Sequence, residues 1–280
     1  SFPTRRSSDL LQAEQLGTGH AVLCTKEKFA NAEGTVLVLC GDTPLFTGEL
    51  LKKFVDKHLE TKAAATVLTA EMPDATGYGR IIREDDGTFK KIVEHKDANS
   101  YERQINEVNA GVYCFDVQKL FKALAEVKNE NAQGEYYLPD VLTILKGENE
   151  KINAFVVDDY TQTLGINSRV QLAEADKILR QRKNLELMES GVTIIDTATT
   201  FIDSEVEIGQ DTIIYPSTYI EGANNIIGKN CKISTAFCRY KRYEKSFYFF
   251  TNRIPLRSHT RFFARGLQHN RNRLILRRRA

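Results

Sequence analysis

A six-residue repeat in the last third of the chain is the feature that most restricts how this sequence can fold. Isoleucine recurs at a strict spacing of six, at Ile202, Ile208, Ile214, Ile220 and Ile226. The spacing slips by one residue at Ile226-Ile227, and Ile233 then follows six residues after Ile227. This period is typical of a parallel β-helix, in which each isoleucine stacks inward on the one below. The alternative is a chance alignment of β-branched residues.

Before the repeat, strand and helix patterns alternate. Apolar runs predict strands over Thr35 to Leu39, Ala63 to Thr69, Val108 to Phe115 and Ile152 to Val157, and a hairpin of Ile81 to Arg83 with Phe89 to Val93 around Asp85-Asp86-Gly87. Amphipathic stretches predict helices near Gly48 to Glu60, over Val117 to Val127, and from a Ser168 cap to about Glu189, with Gly191 as the stop. Alternating strands and helices predict a mostly parallel, doubly wound α/β sheet.

Composition sets the broad class. The chain has 280 residues, 27% of them charged, and no run approaches the roughly 18 to 20 apolar residues of a membrane span. We therefore expect a cytoplasmic protein with no membrane partner. The five cysteines are odd in number and form no CxxC pair, so we expect neither a disulfide framework nor a structural zinc site.

The two ends of the chain differ from its body. Residues 1–10 read as a non-native scar, and residues 239–280 carry 13 of the 39 basic residues but only one of the 37 acidic ones. We interpret 239–280 as a frameshifted or disordered basic tail; the alternative is a basic nucleic-acid-binding arm. Between the ends we predict an α/β domain over 11–190 and the start of the repeat domain over 191–238. We expect no nucleic-acid partner.

An acidic residue follows the first predicted strand. Gly41 and Asp42 come just after the apolar run that ends at Leu39. Ligands of open α/β sheets bind beyond the carboxyl ends of strands, and the glycine lets the backbone approach a ligand. A carboxylate there is suited to hold Mg²⁺ against phosphate oxygens. The alternative is that Gly-Asp forms only a turn.

Other segments place polar groups beside glycines. The most notable are the Gly-rich stretch 12–21, the turn Gly77 to Arg80, Glu94, Asn109 and Asn167. Gly-rich backbone presents N–H groups to a ring or a phosphate, Glu94 offers an acceptor to sugar hydroxyls, and an Asn amide contacts a sugar or gives Mg²⁺ an oxygen. The plain alternatives are a helix entry with His20 as a structural helix-start residue, a solvated strand end, and turn-forming asparagines.

Taken together and in order, six strings closely resemble a single family. They are QAEQLGTGHA (12–21), GDTPL (41–45), TGYGRI (76–81), IVEHKDA (92–98), NAQGEYYLPD (131–140) and GINSR (165–169). The family is that of the bacterial bifunctional N-acetylglucosamine-1-phosphate uridylyltransferase/glucosamine-1-phosphate acetyltransferases, and the resemblance covers about Leu10 to Ser234. It implies a Rossmann-like nucleotidyltransferase domain, incomplete at its N-terminus, followed by the first coils of a left-handed parallel β-helix.

The resemblance also implies roles for individual residues. Those that match contacts to the uracil of the nucleotide are Gln12, Gly17 and Thr18. Those that match the pocket for the N-acetylglucosamine moiety are Gly79, Glu94 and Asn109. Asp42 matches a Mg²⁺ ligand with Gly41 beside the nucleotide, and Asn167 matches the second protein ligand of Mg²⁺. The implied reaction joins UTP and N-acetylglucosamine 1-phosphate into UDP-N-acetylglucosamine and pyrophosphate.

The chain departs from the family at both ends. The family's Gly-rich loop, with its Arg and Lys, has no counterpart here, so we assign no catalytic residue and expect reduced activity. We also expect the acetyltransferase half to be truncated and the homotrimer of the parent enzyme not to form from this chain. The alternative function is a catalytically inactive module that still binds a nucleotide sugar.

Overall fold

The computed structural model describes residues 10–222, 225–234, 237–238 and 274–278, the last two stretches as backbone only. The described residues divide into two compact units. One comprises 10–166 with 274–278, and the other begins at Asn167. The predicted scar at 1–10 and most of the predicted tail at 239–280 lie outside the described residues, so those interpretations remain predictions. The predicted domain limits also remain predictions.

The first unit contains a seven-stranded sheet. Its strands are β1 (Thr35–Cys40), β2 (Ala65–Glu71), β3 (Arg80–Arg83), β4 (Phe89–Val93), β5 (Glu107–Asp116), β6 (Ile152–Val156) and a last strand at Leu274–Arg278, which we number β15 because eight strands of the second unit precede it. The order along the sheet is β15-β1-β5-β2-β6, with β3 and β4 as a hairpin attached to β5.

The expectation of a mostly parallel sheet is wrong. β5 runs antiparallel to both β1 and β2, β15 runs antiparallel to β1, and the β3–β4 hairpin is antiparallel. Among the described strands of this sheet, only β2 and β6 pair in parallel. The sheet is therefore mixed. Apolar runs are equally suited to a strand covered on both faces in either direction, so the sequence pattern does not determine direction.

Helices cover both faces of this sheet. They are α1 (Thr18–Leu23), α2 (Gly48–Thr61), α3 (Val117–Leu124) and α4 (Asp140–Gly147). Alternate residues of a strand point to opposite faces, and β1 illustrates the result. Val36 and Val38 lie in the core shared with α3 and α4, whereas Leu37 packs in the core shared with α2. Two helices begin at side-chain caps, because the Thr47 hydroxyl and the Asp116 carboxylate accept first-turn N–H groups.

The second unit opens with a long helix. Helix α5 spans Arg169–Glu189 and is capped by the Ser168 hydroxyl, which accepts from the N–H of Gln171 at 3.2 Å, as the sequence predicts. Its residue Asn184 is buried and donates from Nδ2 to the carbonyl oxygens of Thr197 and Thr200. These bonds attach the helix to the start of the repeat.

The repeat forms short strands that pair in three parallel stacks. The strands are β7 (Thr193–Ile194), β8 (Phe201–Ile202), β9 (Glu207–Ile208), β10 (Ile213–Ile214), β11 (Tyr219–Ile220), β12 (Ile226–Ile227), β13 (Lys232–Ile233) and β14 (Phe237–Cys238). Each pairs with the strand three places along the chain, giving the stacks β7-β10-β13, β8-β11-β14 and β9-β12. The chain therefore winds with three strands to a turn.

Isoleucines fill the interior of this winding, as the period predicts. Ile202 lies level with Ile220, and Ile214 with Ile233. All four are buried in one apolar cluster. The slip in the period has a structural counterpart: Ile227 is 5% exposed and continues the interior column, whereas Ile226 is 39% exposed.

Candidate active site

The Gly-rich stretch that leads into α1 is bonded to a second segment far along the chain. The N–H of Gly19 donates to the carbonyl of Tyr136 at 2.8 Å, and the N–H of Tyr136 donates to the carbonyl of Leu16 at 2.8 Å. The Thr18 hydroxyl accepts from the N–H of Leu138 at 3.0 Å. Two of the strings recognised in the sequence, 12–21 and 131–140, thus form one structural unit.

Gly17 is required at the point where these two segments cross. Its φ is +107°, a conformation that L side chains rarely adopt, and an added Cβ would lie 2.7 Å from the carbonyl oxygen of Tyr136. The backbone conformation and the close contact both disfavour a side chain at this position. Within the described part of the chain, the N–H of Gly17 has no hydrogen-bond partner.

Gln12 folds back on this turn. Its Nε2 lies 3.2 Å from the carbonyl oxygen of Gly17 and 3.0 Å from Nδ1 of His20. The structure therefore brings Gln12, Gly17 and Thr18 together, although whether they contact a nucleobase remains a prediction.

A second group gathers where the β3–β4 hairpin meets β5. The N–H of Asn109 donates to the carbonyl oxygen of Gly79 at 2.9 Å. A Cβ added at Gly79 would lie 3.2 Å from Oε1 and 3.3 Å from Oε2 of Glu94. Gly79, Glu94 and Asn109 are thus neighbours, as expected of one pocket. Their part in holding a sugar remains a prediction.

Glu94 is the least solvated carboxylate of this group. Burial raises its pKa above the ordinary range, and the nearby carboxylates of Asp97 and Asp140 raise it further. Burial likewise raises the pKa of Asp140. Among the described residues, no donor side chain or backbone N–H bonds to the Glu94 carboxylate. A half-buried carboxylate without a protein donor is suited to accept from hydroxyl or amide groups of a ligand.

Tyr113 is a residue of this site that the sequence analysis missed. Its hydroxyl accepts from Nδ2 of Asn109 at 2.6 Å, while Oδ1 of Asn109 accepts from the N–H of Gly111 at 3.0 Å. Burial, with Glu94 and Cys40 nearby, raises the pKa of Tyr113 well above its ordinary value. The phenol therefore stays protonated and fixes the Asn109 amide. Residues 109 and 113 share a strand face at even spacing, which is the signal that could have revealed the pair.

Asp42 lies at the end of β1, as predicted. Its side chain is exposed, and its backbone carbonyl accepts from the N–H of Ile166 at 2.8 Å. Asn167, the next residue in sequence, is exposed as well, and its N–H donates to Oε1 of Gln171 at 2.7 Å. Among the described residues, no cluster of three or more His, Cys, Asp or Glu side chains could hold a metal.

These donors nevertheless match one kind of cation. A carboxylate and an amide give hard oxygen ligands, and Mg²⁺ is commonly held by one or two such groups, with water and substrate phosphates completing its octahedron. Each of the two residues, taken by itself, therefore carries an oxygen ligand of the kind that suits a divalent cation. Asp42 and Asn167 belong to different units, and their sharing of one cation remains a prediction. Gly41 precedes Asp42 and is also exposed, which leaves its backbone accessible. Its contact with a nucleotide remains a prediction.

A mixed sheet with helices on both faces, a Gly-rich turn and an acidic residue just after a strand place the chain in the α/β class of proteins. The family model described as nucleotidyl transferase matches residues 5–232, and the chain belongs to that family. No helix in the described ranges is long and apolar enough to cross a membrane.

Two curated proteins are similar to this chain over most of its length. The chain is 54% identical over 232 residues to the bifunctional protein GlmU of Shouchella clausii, covering 83% of this chain and 51% of that protein. It is 53% identical to the bifunctional protein GlmU of Clostridium beijerinckii, covering 82% of this chain and 50% of that one. The chain thus spans about half the length of the curated relatives it matches.

One solved structure shows a weaker likeness. A UDP-glucose pyrophosphorylase complexed with UDP-glucose aligns with a TM-score of 0.47 and 21% identity, covering 60% of this chain and 64% of that one.

Proposed function

We propose that the protein transfers a uridylyl group from UTP to N-acetylglucosamine 1-phosphate. A phosphate oxygen of the sugar phosphate attacks the α-phosphorus of UTP, and the bond from that phosphorus to the oxygen bridging to the β-phosphorus breaks. Pyrophosphate leaves with the electron pair, and UDP-N-acetylglucosamine remains. Such a transfer needs positioning and charge stabilisation from the protein more than covalent chemistry.

The observation that carries the proposal is that one segment connects the 12–21 turn with the group of Gly79, Glu94 and Asn109 in the same compact unit. At one end, the 12–21 turn offers backbone and amide groups beside Gly17. At the other, Gly79, Glu94 and Asn109 are neighbours. The 131–140 segment links the two, because Tyr136 bonds to the turn while the N–H of Ala132 donates to the Asp97 carboxylate at 3.2 Å.

At the sugar end, Glu94 is the proposed acceptor for a hydroxyl or the acetamido N–H of N-acetylglucosamine. Asn109, whose side-chain orientation Tyr113 and Gly111 fix, is the proposed second contact. Gly79 keeps the space in front of the Glu94 carboxylate open. At the base end, the proposed contacts to uracil are Gln12, Gly17 and Thr18.

The proposed cofactor is Mg²⁺, with Asp42 and Asn167 as its protein ligands. When bound, Mg²⁺ neutralises phosphate charge that develops as the leaving group departs. The chain's own part is to hold the carboxylate at the end of β1, where the bond from Ile166 to the Asp42 carbonyl fixes the backbone.

For the second unit, we propose that the three-stack winding is the start of a left-handed parallel β-helix. In the whole protein we propose that this part carries a glucosamine-1-phosphate acetyltransferase activity and a homotrimer contact, in keeping with the bifunctional relatives. We assign no residue of the described ranges to that activity.

Calorimetric titration of UDP-N-acetylglucosamine with Mg²⁺ tests the proposal. We expect binding in the micromolar range, at least about tenfold weaker in Asp42→Ala or without the cation. Asp85→Ala, which changes an exposed aspartate of the hairpin turn, is the matched control and should bind as the parent does. UDP-glucose should bind more weakly than UDP-N-acetylglucosamine. Equal heats for the parent and Asp42→Ala, or no heat at all, would refute the proposed site.

A further inference from the structure

The orientation of the Gln12 amide is determined by its neighbours. The carbonyl oxygen of Gly17, 3.2 Å away, only accepts hydrogen bonds, so the amide group facing it must be the NH₂. An exchanged amide would set two oxygens against each other. The second proton of Nε2 then points to Nδ1 of His20 at 3.0 Å.

The same logic determines the form of His20. Because Nε2 of Gln12 is only a donor, Nδ1 of His20 must be an unprotonated acceptor, and the ring proton resides on Nε2. That nitrogen lies 3.9 Å from Sγ of Cys24, a weak acceptor. The three side chains therefore form one directed chain from Gln12 to His20 to Cys24, and both amide protons of Gln12 are used.

What remains of Gln12 is its oxygen. In the described ranges, Oε1 of Gln12 has no hydrogen-bond partner, so the side chain presents one acceptor. Uracil has an N–H at ring position 3, which donates to such an acceptor. Cytosine has an unprotonated nitrogen at that position, which places two acceptors opposite each other.

We infer that His20 is a positioning residue for Gln12, holding its amide so that Oε1 faces the ligand and the site selects uracil nucleotides over cytosine nucleotides. The inference rests on the proposed function, in which Gln12 meets the base. It replaces the sequence interpretation of His20 as a structural helix-start residue with a role in nucleotide choice. Without His20, the Gly17 carbonyl alone opposes rotation of the amide.

The test compares UDP with CDP. Calorimetric titrations with Mg²⁺ give the ratio of the two dissociation constants for the parent, for His20→Phe, which keeps an aromatic ring but no acceptor, and for His20→Gln, which restores an acceptor oxygen. One neutral hydrogen bond is worth about 2- to 10-fold in an equilibrium constant. We expect the preference for UDP to fall by about that factor in His20→Phe and to return to within about twofold of the parent in His20→Gln.

The outcomes separate the two ideas. Loss of UDP binding in the parent chain would overturn the proposed function, and this inference with it. A parent that prefers UDP, with an unchanged ratio in a cooperatively folded His20→Phe, would overturn the inference alone, as would an equal loss in His20→Gln. If His20→Phe does not unfold cooperatively in urea, the smaller His20→Leu takes its place with the same expected fall.

Discussion

The backbone N–H of Asn109 donates a hydrogen bond to the carbonyl oxygen of Gly79 at 2.9 Å. This bond continues the pairing of β3 with β5 beyond Arg80 and Val108. It holds the Gly-rich turn against the strand that carries the Asn109 amide. Because Gly79 has no side chain, the space that a Cβ would fill lies open next to the Glu94 carboxylate.

Gly79→Ala should therefore affect binding more than folding. The new methyl group would lie 3.1 Å from Cγ2 of Ile92 and 3.2 Å from Oε1 of Glu94, so the carboxylate must shift by a few tenths of an ångström. We expect UDP-N-acetylglucosamine to bind about tenfold more weakly, and UDP to bind nearly as before, because a misplaced carboxylate loses its charged hydrogen bond to the sugar. Calorimetry with both ligands measures the difference.

The matched control is Gly48→Ala at the first position of α2, where an added Cβ meets nothing within 4 Å. It should leave both affinities unchanged. Equal weakening of UDP and UDP-N-acetylglucosamine in Gly79→Ala would place Gly79 away from the sugar.

Gly17→Ala should be among the most destabilising single changes in the turn at 16–19. The backbone strain of a side chain at positive φ costs about 1–3 kcal/mol, and the contact at 2.7 Å with the Tyr136 carbonyl adds an overpacking cost of about 1–3 kcal/mol. Gly34→Ala isolates the first cost, because Gly34 has φ +95° and open space around its Cβ position. Urea unfolding of both variants measures the difference, and equal losses would contradict the close approach of the two segments.

Glu94→Gln should weaken ligand binding and raise the free energy of unfolding. Because the folded pKa of Glu94 lies above its ordinary value, the folded protein keeps a proton that the unfolded chain has already released between those two values. Stability therefore falls as pH rises through that window. Removing the charge should raise the free energy of unfolding near neutral pH by about 0.5–2 kcal/mol. It should also weaken UDP-N-acetylglucosamine binding about tenfold or more.

The stability gain should shrink as pH is lowered into the acid range, where the parent's Glu94 is protonated too. Urea midpoints near neutral pH and in the acid range measure it. The exposed Glu33→Gln serves as the control for exchanging a carboxylate for an amide, and its urea midpoint near neutral pH should stay close to that of the parent. A gain that persists unchanged at acid pH would rule out a buried charge as its cause.

Arg83 and Glu107 supply the ion pair that braces β3 against β5. Nη2 and Nε of Arg83 lie 2.6 and 2.7 Å from the two carboxylate oxygens of Glu107, and the Thr69 hydroxyl donates to Oε1 at 2.8 Å. Arg83→Met should cost about 1–3 kcal/mol, because it leaves a buried carboxylate with one neutral donor. Lys57→Met, in the exposed pair with Glu60, should change the free energy of unfolding by about 0.5 kcal/mol or less. Similar losses in the two variants would show that burial adds nothing.

The sequence pattern predicts the positions of most strands and helices well, but it predicts the direction in which the strands pair poorly. Residues 35–39, 108–115 and 152–157 were predicted as strands within about two residues of their observed bounds. The antiparallel direction of β5 was missed, because an apolar run contains no information about its neighbour's direction. Helix α4 was missed, because its eight residues follow Pro139 without a side-chain cap.

For the candidate site too, the residues could be predicted from the sequence, but the contacts between them could not. Its residues were found by resemblance to a family, since each motif alone had a plain structural alternative. The hydrogen bonds that bring these residues together join segments that are distant in the sequence: Tyr136 with Gly19, and Asn109 with Gly79. Spacing along the chain does not reveal such bonds, because they depend on how the sheet and the connecting segments bring those positions together.

The slip in the isoleucine repeat gives the sharpest test of the second unit. Ile226 and Ile227 are chemically identical neighbours, yet only Ile227 lies in the interior column, level with Ile208. Ile227→Ala should cost about 2–5 kcal/mol, the range for truncating a buried isoleucine, whereas Ile226→Ala should cost about 0.5 kcal/mol or less. Urea unfolding followed by circular dichroism compares the two. If Ile226→Ala were the costlier change, the strict six-residue period would continue through Ile226, and the winding would be displaced by one residue from β12 onward.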